Sequence, residues 1–189
     1  MELASILRNH LGAWALSIRL SMEKNTKLRM PCRISCPKQT LIGKNCYIGK
    51  ESWFSIEGRG TIEIGDNCAI GRYFICASTG SVKIGNRVMV SERVFITDCD
   101  HDYMKVGASP LDLPSTTGGK TEIGDETWLG VGCCILKNVN IGKHCVIGAN
   151  SVVTSDVPDF CVAAGNPAKI IRQYDPARKE WAKKKKDSC

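Results

Sequence analysis

From Ile123 to Thr154 the chain repeats itself every six residues. Aliphatic side chains stand at Ile123, Leu129, Ile135, Ile141, Ile147 and Val153, and glycine follows four of them. Four residues after each comes a smaller side chain: Thr127, Cys133, Val139, Cys145, Ser151 and Val157. A period of six fits neither an α-helix nor the alternation of one long strand. It is the period of a coiled parallel sheet in which each hexad supplies one short strand and one corner. Alternation within a hexad sends places one and five to the same face, and their size difference fits a wall and a cramped interior. The expected fold is an all-β parallel β-helix of hexapeptide repeats.

The repeat extends backwards with interruptions. Hexads start near Thr40, with Ile42-Gly43 and Ile48-Gly49 leading into Phe54, and Glu57 to Gly60 break the phase. It returns at Ile64-Gly65 and Ile70-Gly71, slips by two residues near Ser78 to Ser81, and returns at Ile84-Gly85, Val90 and Ile96. Three hexads close one triangular coil, which predicts about five coils over residues 39–158. The longest loss of phase is the loop at 98–120, which begins with Asp98, Asp100 and Asp102 around His101. Long unpatterned insertions in a solenoid are usually functional or disordered, and this composition favours function.

The flanks read differently. Residues 1–38 open on an amphipathic segment whose apolar residues, from Leu3 and Ile6 to Ile18 and Met22, keep helical spacing on one face. Two roles are open: a cap over the first coil, whose strand edges would otherwise pair with other chains, or a helix lying on a membrane surface. Over 159–189, Val162 to Ala164 predict a last strand and Gly165-Asn166-Pro167 a turn. From Pro176 the run ARKEWAKKKK predicts a short terminal helix with a basic end. Much of the net charge of +7 sits in that tail, so it is read as solvated and no nucleic-acid partner is expected.

Eleven cysteines do not make a disulfide scaffold here. Cys46, Cys68, Cys133 and Cys145 take the inward fifth place, where cysteine acts as a compact hydrophobe. An odd total and no secretion signal suggest a reducing, cytoplasmic location; the N-terminal segment leaves open a peripheral contact at the inner membrane surface. Cys32 and Cys36 lack the second pair that a zinc site needs. Of the histidines His10, His101 and His144, His101 alone opens a loop among carboxylates, which can fix its tautomer and support a gained proton.

The hexads together with ITDCDHDY, IGDETWLG, IGANSVVTSDVP and AGNPAKIIR resemble the hexapeptide-repeat acyltransferases, over about residues 40–172. The sugar O-acetyltransferases, such as maltose and galactoside acetyltransferases and relatives that modify bacterial surface polysaccharides, are the branch resembled. The resemblance implies a left-handed coil, against the general crossover preference, and a homotrimer with active sites between subunits. It implies acetyl-CoA as donor, a carbohydrate acceptor and no metal. His101 would be the general base, with Asp98 beside it, and Asp100 and Tyr103 would meet the acceptor. Gly130, Val131, Ala149 and Thr154 would line the path of the pantetheine arm, and Lys169 and Arg172 would meet the nucleotide phosphates. Trp128 matches an aromatic of the family.

Two departures stand out. Polysaccharide-modifying relatives often read D-H-x-H where this chain has Asp98-Cys99-Asp100-His101, which makes Cys99 a nucleophile on paper although the family transfers its acyl group directly. The substrate-binding Asn of sugar-acetylating relatives has no clear match near Cys76 to Gly80. Other readings of the chain are an N-acetyltransferase acting on an amino sugar and a non-catalytic β-helix scaffold. A carbonic anhydrase on this fold would need three imidazoles that the sequence does not assemble.

Overall fold

The structure is a computed structural model describing residues 21–114 and 118–183. The expected N-terminal helix, and His10 with it, lies outside the described residues. The chain winds as a β-solenoid of about seven turns. The first coil consists of Ser21–Met22 (β1), Lys27–Leu28 (β2) and Arg33–Ile34 (β3). The second is Thr40–Ile42 (β4), Tyr47–Ile48 (β5) and Trp53–Ile56 (β6), and the third Thr61–Ile64 (β7), Ala69–Ile70 (β8) and Ile75–Ser78 (β9). Ser81–Ile84 (β10), Met89–Val90 (β11) and Phe95–Thr97 (β12) make the fourth. The fifth is Lys120–Ile123 (β13), Trp128–Leu129 (β14) and Cys134–Ile135 (β15); the sixth is Asn140–Ile141 (β16), Val146–Ile147 (β17) and Val152–Val153 (β18). A bridge from Ile141 to Val157 and the strand Cys161–Gly165 (β19) begin a seventh.

Each strand pairs in parallel with its counterpart one coil on, giving three sheets: A through β1 and β16, B through β2 and β19, and C through β3 and β18. The register stacks like on like. Ile42, Ile64, Ile84, Ile123 and Ile141 form one inner column. Ile48, Ile70, Val90, Leu129 and Ile147 form a second, and all of these are buried. Burying each such side chain stabilises by about 1.5–3 kcal/mol.

Coil spacing explains the glycines at the second place. A Cβ on Gly71 would sit 2.6 Å from the Ser91 carbonyl carbon and 2.7 Å from Glu92 N in the next coil. Corners turn at the fourth place, where Asn45, Asn67 and His144 have φ of 57°, 59° and 54°, a left-handed conformation in which Asn and His are enriched. Along the A–B corner, backbone N–H groups donate to the side chain one coil on: Lys44 N to Asp66 Oδ1 at 3.0 Å, Asp66 N to Asn86 Oδ1 at 2.9 Å, and Asn86 N to Asp125 Oδ1 at 2.7 Å.

Four expectations are corrected. Among the described residues the coil is already present at Ser21–Met22, well before Thr40, and there are about seven turns rather than five. The phase breaks at 57–60 and 78–81 are not gaps; they fall where sheets C and A carry four-residue strands, β6, β7, β9 and β10. The expected C-terminal helix is a strand, Glu180–Lys183 (β21), antiparallel to Ala168–Asp175 (β20), which itself folds back on β19. Trp181 of β21 packs on Tyr174, ring centroids 5.6 Å apart, and stacks on His144 at 6.4 Å. That packing and the edge of β20 outweigh the helix propensity of a Lys- and Ala-rich run. Among the described residues no helix is long and apolar enough to cross a membrane.

Candidate functional site

The site grows from a change of route at the end of β12. In the third coil, Thr79 and Gly80 link sheet C directly to sheet A; in the fourth, residues 98–119 take the place of that link. The two ends of the excursion meet. A Cβ on Gly119 would overlap the Asp98 carbonyl oxygen, so only glycine lets the chain return this close. Thr121 Oγ1 donates to the Thr97 carbonyl at 2.9 Å and ties the returning strand to the departing one.

Asp98 is fully buried at this junction. Ser78 Oγ donates to its Oδ2 at 2.6 Å, Gly80 N to the same oxygen at 3.1 Å and Thr79 N to Oδ1 at 2.8 Å. A carboxylate with three donors supports a buried charge, and here it satisfies the backbone of the link below. One residue on, Thr97 Oγ1 accepts from Cys99 N at 3.1 Å and lies 3.3 Å from Cys99 Sγ. These bonds turn the chain outward and leave His101 exposed above the sheet.

His101 borders a groove of about 290 Å³ whose floor is the outer face of sheet C, with Ser55, Ala77 and Thr97 in successive coils. Glu57, Cys99 and Asp100 also line it, with Ser78, Thr79 and Phe95. An imidazole over an open groove beside two carboxylates can take a proton from a hydroxyl or amine seated there. Cys76, beneath the floor, is fully buried, and burial, with Asp98 nearby, pushes its thiol well above the usual range. Asp102 Oδ1 accepts from Met104 N at 3.0 Å, turning the loop away. Tyr103, expected at the acceptor, is 73% exposed and does not line this groove.

The residues expected along the donor lie on the C-terminal coils. Gly130 and Val131 stand at the B–C corner after β14, and Ala149 at the same corner one coil on. Gly130 is small for a packing reason, since a Cβ there would lie 2.7 Å from Ala149 N. Val131 and Ala149 are exposed. Thr154 follows β18 on sheet C, two coils beyond Thr97, a separation of roughly 10 Å at the usual strand spacing. Lys169 and Arg172 lie on β20, both exposed and, among the described residues, in no ion pair. Of the residues expected along the donor, Thr154 shares sheet C with the His101 groove, Gly130, Val131 and Ala149 stand at the B–C corner where the strands of that sheet begin, and Lys169 and Arg172 lie on β20.

The other candidates stand apart. His144 lies at the A–B corner of the sixth coil, its Nδ1 3.2 Å from Glu126 Oε2 and its ring against Phe160 and Trp181. Among the described residues no three His, Cys, Asp or Glu side chains gather as ligands for a metal. Trp128 Nε1 donates to Ser91 Oγ at 3.1 Å on the outer face of sheet B. Sequence reasoning missed Ser55 and did not join Glu57 and Ala77 to His101, because their neighbourhood arises from stacking across coils; the break at Glu57 and the segment Cys76 to Gly80 were their traces.

Residues 120–155 match the bacterial transferase hexapeptide (six repeats) family, and residues 39–72 the hexapeptide repeat of succinyl-transferase. Over 162 residues the chain is 36% identical to the putative lipopolysaccharide biosynthesis O-acetyl transferase WbbJ of Escherichia coli K12, covering 82% of this chain and 83% of WbbJ. It is 32% identical over 138 residues to the galactoside O-acetyltransferase of Lactococcus lactis, covering 71% of this chain and 63% of that enzyme. Among solved structures, AntD, an N-acyltransferase from Bacillus cereus in complex with dTDP and 3-hydroxybutyryl-CoA, superposes with a TM-score of 0.75 at 20% identity, covering 88% of this chain and 90% of AntD. That likeness speaks for the fold. The repeats, the coil they build and the near full-length similarity to WbbJ agree, and the chain belongs to the hexapeptide-repeat acyltransferases as an acetyltransferase.

Proposed function

We propose that the protein transfers an acetyl group from acetyl-CoA directly to a hydroxyl of a saccharide or saccharide precursor, with His101 as general base. One observation carries the reading: His101 lines a groove, with Glu57 and Asp100 beside it, on the outer face of the sheet that also carries Thr154 and begins at the exposed corners of Val131 and Ala149. The pantetheine arm lies along those corners and Lys169 and Arg172 meet the phosphates, where charge-assisted bonds are strongest. The acceptor lies over Ser55 and Ala77, with Glu57 and Asp100 accepting bonds from its other hydroxyls. Asp98 is a positioning residue, holding the strand end from which His101 departs.

The chemistry follows from the poor nucleophilicity of a hydroxyl near neutral pH. The His101 imidazole takes the hydroxyl proton as the oxygen forms a bond to the thioester carbon. The tetrahedral oxyanion collapses, the C–S bond breaks, and the imidazolium returns its proton to the CoA thiolate. Backbone N–H groups near the corner hold the oxyanion. The coil is left-handed and three copies assemble, each site completed by a neighbour. The exposed apolar residues Tyr103, Met104, Val106 and Leu111 of the loop are suited to being covered in that way. An acetyl-CoA donor implies work in the cytoplasm.

The test is His101→Ala, measured by CoA release with a panel of saccharide acceptors and by titration with CoA. Loss of a general base lowers kcat by about 10²- to 10⁴-fold while CoA affinity is retained. Wild-type kcat in a variant of unchanged assembly refutes the mechanism. Glu57 and Asp100 would also hold an ammonium, which favours an amino sugar as the second reading. Paired acceptors differing only in hydroxyl or amine separate the two.

A further inference from the structure

Sheet C has a second groove, one step along the strands from the first. Trp53 and Ser55 lie on one face of β6, as do Ile75 and Ala77 of β9, and same-face neighbours on a strand are roughly 7 Å apart. Ser55 and Ala77 floor the His101 groove; Trp53 and Ile75, with Tyr73 at the adjoining corner, line an opening of about 340 Å³ beside it. The face is open, with Trp53 44%, Tyr73 46% and Ile75 37% exposed.

Three observations mark this groove as more than a leftover apolar surface. The aromatic wall is held in place, since the guanidinium carbons of Arg72 and Arg93 lie 5.9 and 6.0 Å from the Tyr73 ring centroid and Arg72 Nε donates to Glu92 Oε1 at 2.9 Å. The Trp53 indole N–H has no acceptor among the described residues, whereas that of Trp128 is bonded to Ser91. Arg33 and Glu51 also line the groove, and neither forms an ion pair among the described residues. Flat aromatic faces beside unpaired planar donors and acceptors suit a sugar ring, whose C–H face is apolar and whose rim is hydroxyl. Contact with another apolar surface would instead strip water from Arg33 and Glu51 without pairing them.

We propose that the Trp53–Tyr73 groove is a second sugar subsite, so that the acceptor is an oligosaccharide of at least two units: one presents its hydroxyl to His101 and the next lies on Trp53. This rests on the saccharide reading above and adds direction to it. The donor approaches from the C-terminal coils and the acceptor from the N-terminal ones, and the two meet at the fourth.

The test compares neutral tetrasaccharides of glucose, galactose and N-acetylglucosamine with their monosaccharides. In Trp53→Ala the ratio of tetrasaccharide to monosaccharide KM rises about tenfold, the worth of one well-placed aromatic contact, and Trp53→Phe restores most of it. In parallel, NMR titration of the full-length wild-type protein at millimolar sugar moves the Trp53 indole N–H resonance with a tetrasaccharide and less with a monosaccharide. The subsite is refuted if the KM ratio is unchanged or if no tetrasaccharide moves that resonance. It is also refuted if light scattering shows that Trp53→Ala breaks the assembly, which assigns the groove to a second copy of the chain. Retained turnover by His101→Ala would instead remove the catalytic reading, and the titration would still report sugar on Trp53.

Discussion

Asp98→Asn separates the architectural part of the site from the chemical part. The carboxylate is fully buried and accepts from Ser78 Oγ, Thr79 N and Gly80 N. An amide of the same shape keeps one acceptor oxygen. With that oxygen in the place of Oδ2, the bonds from Ser78 and Gly80 survive in weaker, neutral form, but the NH₂ group faces Thr79 N, donor against donor. A buried donor left without a partner costs about 1–3 kcal/mol, and two charge-assisted bonds made neutral lose about 1 kcal/mol more. The expected destabilisation is about 2–4 kcal/mol by urea denaturation, and more for Asp98→Ala. A double-mutant cycle of Asp98→Ala with Ser78→Ala should show a coupling of about 1–2 kcal/mol, because each of these two changes removes the same 2.6 Å bond. Acetyl transfer should fall because His101 loses its anchored strand end, while CoA binding persists, since Val131 and Ala149 belong to later coils. Stability within about 0.5 kcal/mol of wild type, the range of an ordinary surface change, would refute the reasoning.

Other consequences can be checked in the same protein. Gly119→Ala must push the loop ends apart to clear the Asp98 carbonyl, so limited proteolysis should cut within the loop much faster than in wild type. Lys169→Ala combined with Arg172→Ala should raise KM for acetyl-CoA about tenfold or more, from lost charge-assisted bonds, with little effect on acetyl-pantetheine, which lacks the nucleotide. Burial pushes the thiols of Cys32, Cys133 and Cys145 up to about 11, 12 and 11 from an ordinary value of 9.0. Folded values above unfolded ones stabilise the fold fully below pH 9.0, and that stability is lost as pH rises through 11 to 12. Denaturation midpoints should therefore fall steadily above pH 9.0, and less steeply in Cys133→Ala.

The coil was legible because its cause is local: each hexad carries its own strand, glycine and corner. The first coil went unread although Met22, Leu28 and Ile34 keep the spacing of six, because no glycine follows them. The terminal strand was misread for the opposite reason, since what holds Glu180–Lys183 extended is β20 and the ring of Tyr174, not its own composition. At the site, His101 was visible as an imidazole where the repeat fails. Its surroundings were not, because Ser55, Ala77 and Thr97 are neighbours only through coil-on-coil register. Of the acidic residues beside His101 that suggested partners for the imidazole, Asp98 turns inward to the backbone of the coil below and Asp102 binds the amide of Met104, while Asp100 lines the groove with His101.

Hydrogen bonding in the coil runs almost wholly between neighbours, as from Gly71 N to the Val90 carbonyl and from Gly85 N to the Ile123 carbonyl, each 2.8 Å. Such an array behaves as a one-dimensional stack whose stability is a sum of nearest-neighbour terms and whose weakest members are its ends. The His101 groove spans the second to fourth coils, and the donor-side corners lie on the fifth and sixth. Transient opening can begin at the outermost coils without dissolving the His101 groove, so the terminal layers act as sacrificial windings around it.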